Sequence, residues 1–139
     1  MTVVSKSIRL NTHGSCHMID ITSEVAQAII ESKVEHGTAT IFIPGSTAGI
    51  TTIEYEDGVL NDFKDMWDRT VPRNITYQHD RKWGDGNGNS HVSASLLGPS
   101  IVVPFIGRKL TLGTWQQIII VDFDNRPRTR DIIIQIMGE

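Results

Sequence analysis

The chain has 139 residues, enough for one domain around a single core, with 13 Lys and Arg against 16 Asp and Glu and a formal net charge of -3. Lacking a basic field it is not expected to hold nucleic acid or an anionic membrane surface, and no apolar run approaches the length of a membrane span. The lone Cys16 excludes an internal disulfide and suits a reducing compartment, so a cytoplasmic protein is expected, with Cys16 a small apolar filler.

Residues 3–10 alternate apolar and polar side chains and predict a strand, without the continuous apolar stretch of a signal peptide. Residues 17–21 predict a second strand, returning beside the first as an opening hairpin. Thr22 then offers an N-cap for a helix with Glu24 in its first turn and an apolar stripe of Val25, Ala26, Ile29, Ile30 and Val34 that ends at Gly37. Residues 38–44 and 50–55 are β-branched and apolar, separated by the tight connection 45–49. From Gly58 the period changes: Leu60, Phe63, Trp67 and Val71 are spaced by three and four, predicting a second helix that Pro72 closes.

Residues 73–90 have no period, and an aperiodic stretch of that length in a compact domain is often functional. Ser90 is the predicted cap of a short helix over 90–97, with Val92 and Leu96 turned inward. Strands are predicted at 100–106, 114–123 and 129–137, and the continuous apolar run 118–121 marks a central strand covered on both faces. The strands do not alternate one-for-one with helices. The expected fold is therefore a single α+β domain over 1–139: a mainly antiparallel two-layer β-sheet structure with two main helices packed on it and a short helix after a glycine-rich loop.

Chemistry-bearing residues collect at the junctions of these segments. His79 and Asp80 open the long loop; Gly84, Gly86 and Gly88 lie close together within it; Asn89, His91 and Ser95 follow. Three glycines so near one another contribute nothing to a core and suit a backbone that must approach a ligand closely. The free N–H groups at the start of the following helix would favour an anion there, with Arg81 and Lys82 nearby. Ser46 and Thr47 sit between two strands, Glu54 near the end of one, and Thr114, Trp115 and Gln116 at the start of another, where Gln116 needs a partner or an exposed face.

Several motifs fail. The Asp85-x-Asn87-x-Asn89 spacing imitates a calcium loop, but Leu96 stands where its bidentate Glu belongs, and no phosphate-loop Gly-Lys-Ser/Thr occurs. His79 and His91 could ligate a metal, zinc or magnesium being the candidates, given a third ligand from Glu54, Asp80 or a neighbouring chain.

Four motifs together resemble the YjbQ-like family, also known as UPF0047 and as secondary thiamine-phosphate synthase: Ile43-Pro-Gly-Ser-Thr-Ala-Gly-Ile-Thr-Thr-Ile-Glu54, Tyr77-Gln-His-Asp80, Asn89-Ser-His-Val-Ser-Ala-Ser-Leu-Leu-Gly-Pro-Ser100 and Leu112-Gly-Thr-Trp-Gln116. A weaker fifth is Phe123-Asp-Asn-Arg-Pro-Arg128. The resemblance implies a compact α+β subunit, usually in a homotrimer, and a pocket where His79 and His91 gather. It also implies a weak thiamine-phosphate synthase activity that joins a hydroxymethylpyrimidine diphosphate to a thiazole phosphate. One departure is Gly45, where many relatives carry histidine, which puts a three-histidine metal site in doubt.

The residues themselves suit phosphate binding better than diphosphate displacement, since no Asp-rich diphosphate motif is present. The functional expectation is a small enzyme acting on a phosphorylated metabolite, with synthase activity as a side reaction. His91 is general acid/base or metal ligand, and His79 is its partner. Ser46, Thr47 and Ser95 are phosphate contacts, and Glu54 and Gln116 orienting groups. An imidazole, with an ordinary pKa of about 6.5, suits proton transfer at neutral pH. The alternative is a non-catalytic module that binds a phosphorylated ligand or a metal.

Overall fold

The computed structural model describes residues 1–139. In chain order the elements are β1 (Thr2–Thr12), β2 (His17–Asp20), α1 (Thr22–Ser32), β3 (His36–Phe42), β4 (Ala48–Ile53), α2 (Asp57–Thr70), α3 (Gln78–Trp83), α4 (Gly88–Leu97), β5 (Ser100–Ile106), β6 (Lys109–Leu110), β7 (Gln117–Asp122) and β8 (Arg128–Gly138). The fold is α+β. One five-stranded sheet runs in the order β1-β8-β3-β5-β6 and one three-stranded sheet in the order β2-β7-β4, and every pairing is antiparallel. No helix is long and apolar enough to cross a membrane.

The two sheets face one another across the main core. Ile118 and Ile120 of β7 meet Ile132, Ile134 and Ile136 of β8, with Ile41, Phe105 and the buried face of α1 completing it. The opposite face of β7 supplies Ile119 and Val121 to a second cluster with Trp67, Val71 and Ala94, so α2 and α4 cover the small sheet from outside. All four residues 118–121 are fully buried, as a continuous apolar run in a central strand requires.

The opening hairpin does not form. β1 pairs along its whole length with β8, from Thr2↔Gly138 to Thr12↔Arg128, while β2 pairs with β7 in the other sheet. Residues 13–16 are a corner that carries the chain between sheets, with left-handed backbone at Gly14, Ser15 and Cys16. Cys16 is buried there, and burial pushes its thiol up to about 11, which leaves it a poor nucleophile.

Other local expectations shift. Thr22 does not cap α1: Ile21 holds that place, and the Thr22 N–H and hydroxyl both donate to the Asp20 carboxylate. The helix stops at Lys33 in the left-handed region, and Gly37 lies within β3. Glu56 caps α2 by accepting from the Gly58 and Val59 N–H groups. The supposed loop 73–90 contains α3, too short to announce itself by periodicity. The N-cap of α4 is Asn87, whereas Ser90 is buried and its hydroxyl donates to the Phe123 carbonyl at 2.6 Å. Val92 and Leu96 point to solvent; α4 buries Ser90, Ser93 and Ala94 instead, because it lies close against β4. A Cβ at Gly49 would stand 2.8 Å from the Leu97 side chain.

A polar clamp ties the sheets together at one end. Asp122, the last residue of β7, accepts from Arg130 of β8 through Nε at 2.8 Å and Nη2 at 3.0 Å, and from the Thr12 hydroxyl of β1 at 2.6 Å. Two residues on, buried Asp124 accepts from the Thr47 hydroxyl, the Asn87 amide and Arg128 Nε. Burial alone would raise Asp124, but those hydrogen bonds and the Arg128 charge together outweigh it and hold the carboxyl below its ordinary range.

Replacing Asp122 with Asn leaves the buried Arg130 guanidinium with only Asp124, 4.0 Å from Nη2, as a counter-charge, so we expect a loss of about 3 kcal/mol in urea unfolding, the lower end for a broken buried ion pair. A loss below about 1 kcal/mol, a typical single hydrogen bond, would show that the clamp does not bear on stability. Because Asp124 is depressed in the folded state, its stabilisation is complete above its unfolded value of 3.8 and is lost as pH falls through the lower folded value. Urea midpoints should therefore drop on acidification below about pH 4 by less in Asp124→Asn than in the parent; parallel curves would remove Asp124 from the acid transition.

Candidate functional site

The sheet end that carries the clamp also carries a cavity of about 420 Å³, within the range of small-molecule pockets. No hydrophobic residue lines it. Gly45, Ser46 and Thr47 arrive on the β3–β4 connection, Asp85 and Asn87 on the glycine loop, His91 on α4, and Asn125, Arg126, Arg128 and Arg130 on the β7–β8 connection and the start of β8. These segments are pinned to one another by hydrogen bonds: Asn87 joins the glycine loop to buried Asp124 at 3.2 Å and accepts the Asn125 N–H, while Asn125 Nδ2 returns to the Asp85 carbonyl at 2.6 Å. The walls are therefore held rigidly although three of the contributing stretches are connections.

His91 lines this cavity, and the His79 ring lies beside it with centroids 4.6 Å apart. His79 Nδ1 is buried and has no hydrogen-bond partner. It stands 3.4 Å from Asp85 Oδ1 and 3.6 Å from Asp80 Oδ1, too far for good hydrogen bonds. The three donor atoms of His79, Asp80 and Asp85 lie within 4.8 Å of one another, one imidazole and two carboxylates of the kind that ligate a divalent cation. An orphaned imidazole nitrogen facing two carboxylates fits such a group. His91 lies outside that donor cluster, so the folded chain pairs His79 with two aspartates rather than with the second imidazole.

The helix start does not offer the anion site expected of it. Asp80 already occupies it, accepting the Gly88 N–H at 2.8 Å, and the Asn87 N–H goes to Asp85. Arg81 and Lys82 are exposed in the last turn of α3 and do not line the cavity. Ser46 is exposed at the cavity wall. The Thr47 hydroxyl is committed to Asp124 and Arg130, which makes it a brace, not a ligand contact. Neither Asn89 nor Ser95 lines the cavity, and the Ser95 hydroxyl turns back to the His91 carbonyl.

Glu54, Thr114, Trp115 and Gln116 are elsewhere. Antiparallel pairing of β4 with β7 sets Ala48 against Asp122 at one end and Ile53 against Gln117 at the other, so residues just after β4 and just before β7 gather at the far end. There Glu54, Thr114 and Trp115 line a separate hollow with Glu56 and Asp57. Trp115 is 73 % exposed rather than a core anchor. Gln116 precedes the strand, is exposed, and is satisfied by Thr52 and the Gly113 N–H. The residues missed in the sequence are Asp85, Asn87, Asn125 and Arg126, and above all Arg128 and Arg130, which the two buried aspartates hold at the cavity wall.

The UPF0047 protein YjbQ-like family model matches residues 6–139. The chain is 38 % identical over 130 residues to a UPF0047 protein of Archaeoglobus fulgidus, covering 94 % of this chain and 98 % of that one. It is 37 % identical over 134 residues to the UPF0047 protein YugU of Bacillus subtilis, covering 96 % and 98 %. Among solved structures, a YbjQ-like protein of Sulfolobus solfataricus superposes with a TM-score of 0.93 at 31 % identity over 99 % of both chains. A yjbq/upf0047 family protein of Clostridium acetobutylicum does so with a TM-score of 0.86 at 36 % identity over 95 % and 99 %. With the match running over nearly its whole length in both sequence and fold, the chain belongs to the YjbQ-like UPF0047 family.

Proposed function

We propose that the protein is a small cytoplasmic enzyme that acts on a phosphorylated metabolite in the arginine- and histidine-lined cavity, with thiamine-phosphate synthesis as a weak side activity. The observation that carries the reading is the wall composition: three guanidinium groups, two hydroxyls and an imidazole, against the single carboxylate of Asp85, converge on a hollow without a single apolar side chain. Charge-assisted, forked donors of this kind suit phosphate oxygens. His91 is the one imidazole on the wall and the group placed to give or take a proton at the ligand. His79, stacked obliquely on it, fixes the ring from behind. His79, Asp80 and Asp85 would hold a divalent cation, zinc or magnesium, which supplies Lewis-acid charge when bound.

A non-catalytic module that only binds the phosphorylated ligand is the second reading. It is favoured by the two guanidinium groups that the buried aspartates hold in place, which need no proton donor to bind. The two separate on His91. With hydroxymethylpyrimidine diphosphate and thiazole phosphate as substrates, we expect slow thiamine phosphate formation and a loss of about 100-fold or more in His91→Ala with an unchanged circular dichroism spectrum. Undiminished product would take His91 out of the chemistry. No product from the parent protein, with inorganic phosphate still bound, would favour the binding module.

We also propose a homotrimer. The outer face of the five-stranded sheet is bare and carries Val3, Phe42, Val102, Ile106, Ile133 and Met137, all substantially exposed. An apolar sheet face of this extent is the kind of surface a subunit contact covers. Light scattering should give three times the chain mass of 15.5 kDa, and Ile133→Lys should lower it. A monomeric parent protein would leave that face without the proposed role.

A further inference from the structure

Arg130 is a buried guanidinium with one free edge. Its side chain is 9 % exposed, with Nε and Nη2 spent on Asp122 and with Nη2 also donating to the Thr47 hydroxyl at 2.6 Å. Its third nitrogen, Nη1, donates to no protein group. What lies against Nη1 is the bare side of Gly45, where a Cβ would come within 2.7 Å. Gly45 has φ of +113°, a region that side-chain-bearing residues rarely adopt, and both residues line the same cavity. The missing side chain is what leaves Nη1 open to the cavity.

The charges behind the wall decide what this edge can hold. Arg128 and Arg130 are each neutralised by a buried carboxylate, Asp124 and Asp122. Of the remaining lining groups Arg126 is offset by Asp85, so with His91 neutral the cavity has directed donors but no net positive charge. Such a wall suits one compact dianion held by geometry. A diphosphate, with more charge on two phosphoryl groups, needs a net positive surround or added cations.

We propose that this site selects a phosphomonoester over a diphosphate, with Arg130 Nη1 as its anchor and Gly45 as the residue that determines the selectivity by leaving that edge uncovered. The proposal rests on the cavity being an anion site. Calorimetric titration of the full-length protein without divalent ions, using methyl phosphate and pyrophosphate, should show methyl phosphate binding roughly tenfold or more tightly. Gly45→Ala should lower its affinity roughly tenfold or more, the scale of one charge-assisted hydrogen bond, with little change for pyrophosphate. Should that variant fail to fold, the Arg130 Nε–H resonance of the parent protein gives the same test, since methyl phosphate should shift it and sodium chloride should not. Tighter pyrophosphate binding, an unaltered affinity in a folded Gly45→Ala, or an unmoved Arg130 resonance on methyl phosphate binding would each overturn the selectivity proposal alone. Absence of binding by either anion would instead overturn the anion site on which it depends.

Discussion

The pairing of Asp122 with Arg130 is the constraint on which the rest of the molecule turns. It is a fully buried carboxylate at the end of the small sheet, gripping a nearly buried guanidinium near the start of a strand in the large one. The chain between them has to leave one sheet and enter the other within a few residues. That short passage carries Asp124, which repeats the arrangement with Arg128 and draws in the β3–β4 connection through Thr47 and the glycine loop through Asn87. α4 joins the same knot by the bond from Ser90 to the Phe123 carbonyl. One polar cluster thus holds two sheets, a helix and two connections, and its outer surface is the wall of the cavity.

Much of the fold could be read in the sequence because its signals are local. The buried run 118–121, the three- and four-residue spacing of α2 and the alternation of β8 each report the face of an element without reference to the rest of the chain. Partners are not local. β1 finds β8 at the other end of the sequence, and nothing in residues 3–21 distinguishes that from a hairpin closed on the nearest strand. Val92 and Leu96 misled because hydrophobicity was used to choose the inward face of α4, whereas closeness to β4 chose it and favoured Ser90, Ser93 and Ala94.

The candidate site was half legible for a related reason. Histidines, hydroxyls and glycines advertise themselves, and the fold brings His79, His91, Ser46 and Thr47 to one end. Glu54 and residues 114–116 were grouped with them only because they too lie at junctions; antiparallel pairing of β4 with β7 sends them to the opposite end. Arg128 stood out only as the end of a weak motif and Arg130 only as one residue of a predicted strand, yet a signal was present. Arg130 shares parity with Ile132, Ile134 and Ile136, and Asp122 shares it with Ile118 and Ile120. A strand that turns its isoleucines inward turns these charges inward too, and two inward opposite charges near a sheet crossing call for each other.

Buried ion pairs are expensive, and hydrophobic residues of the same volume often serve stability as well or better. The clamp therefore needs another reason to be where it is. Within it each arginine is held by its carboxylate through Nε, in Arg130 also through one of the terminal nitrogens, and what remains of each fork is left facing the cavity. A surface arginine would lose side-chain freedom on meeting a ligand; these have lost theirs already, on folding. Folding thus bears the ordering cost, and ligand binding is spared it. Charge held in place in this way needs no reorganisation when a ligand arrives. On this view the acid sensitivity predicted for the fold and the anion preference proposed for the cavity share an origin in Asp124, whose ionised carboxylate holds Arg128 and Thr47 in place.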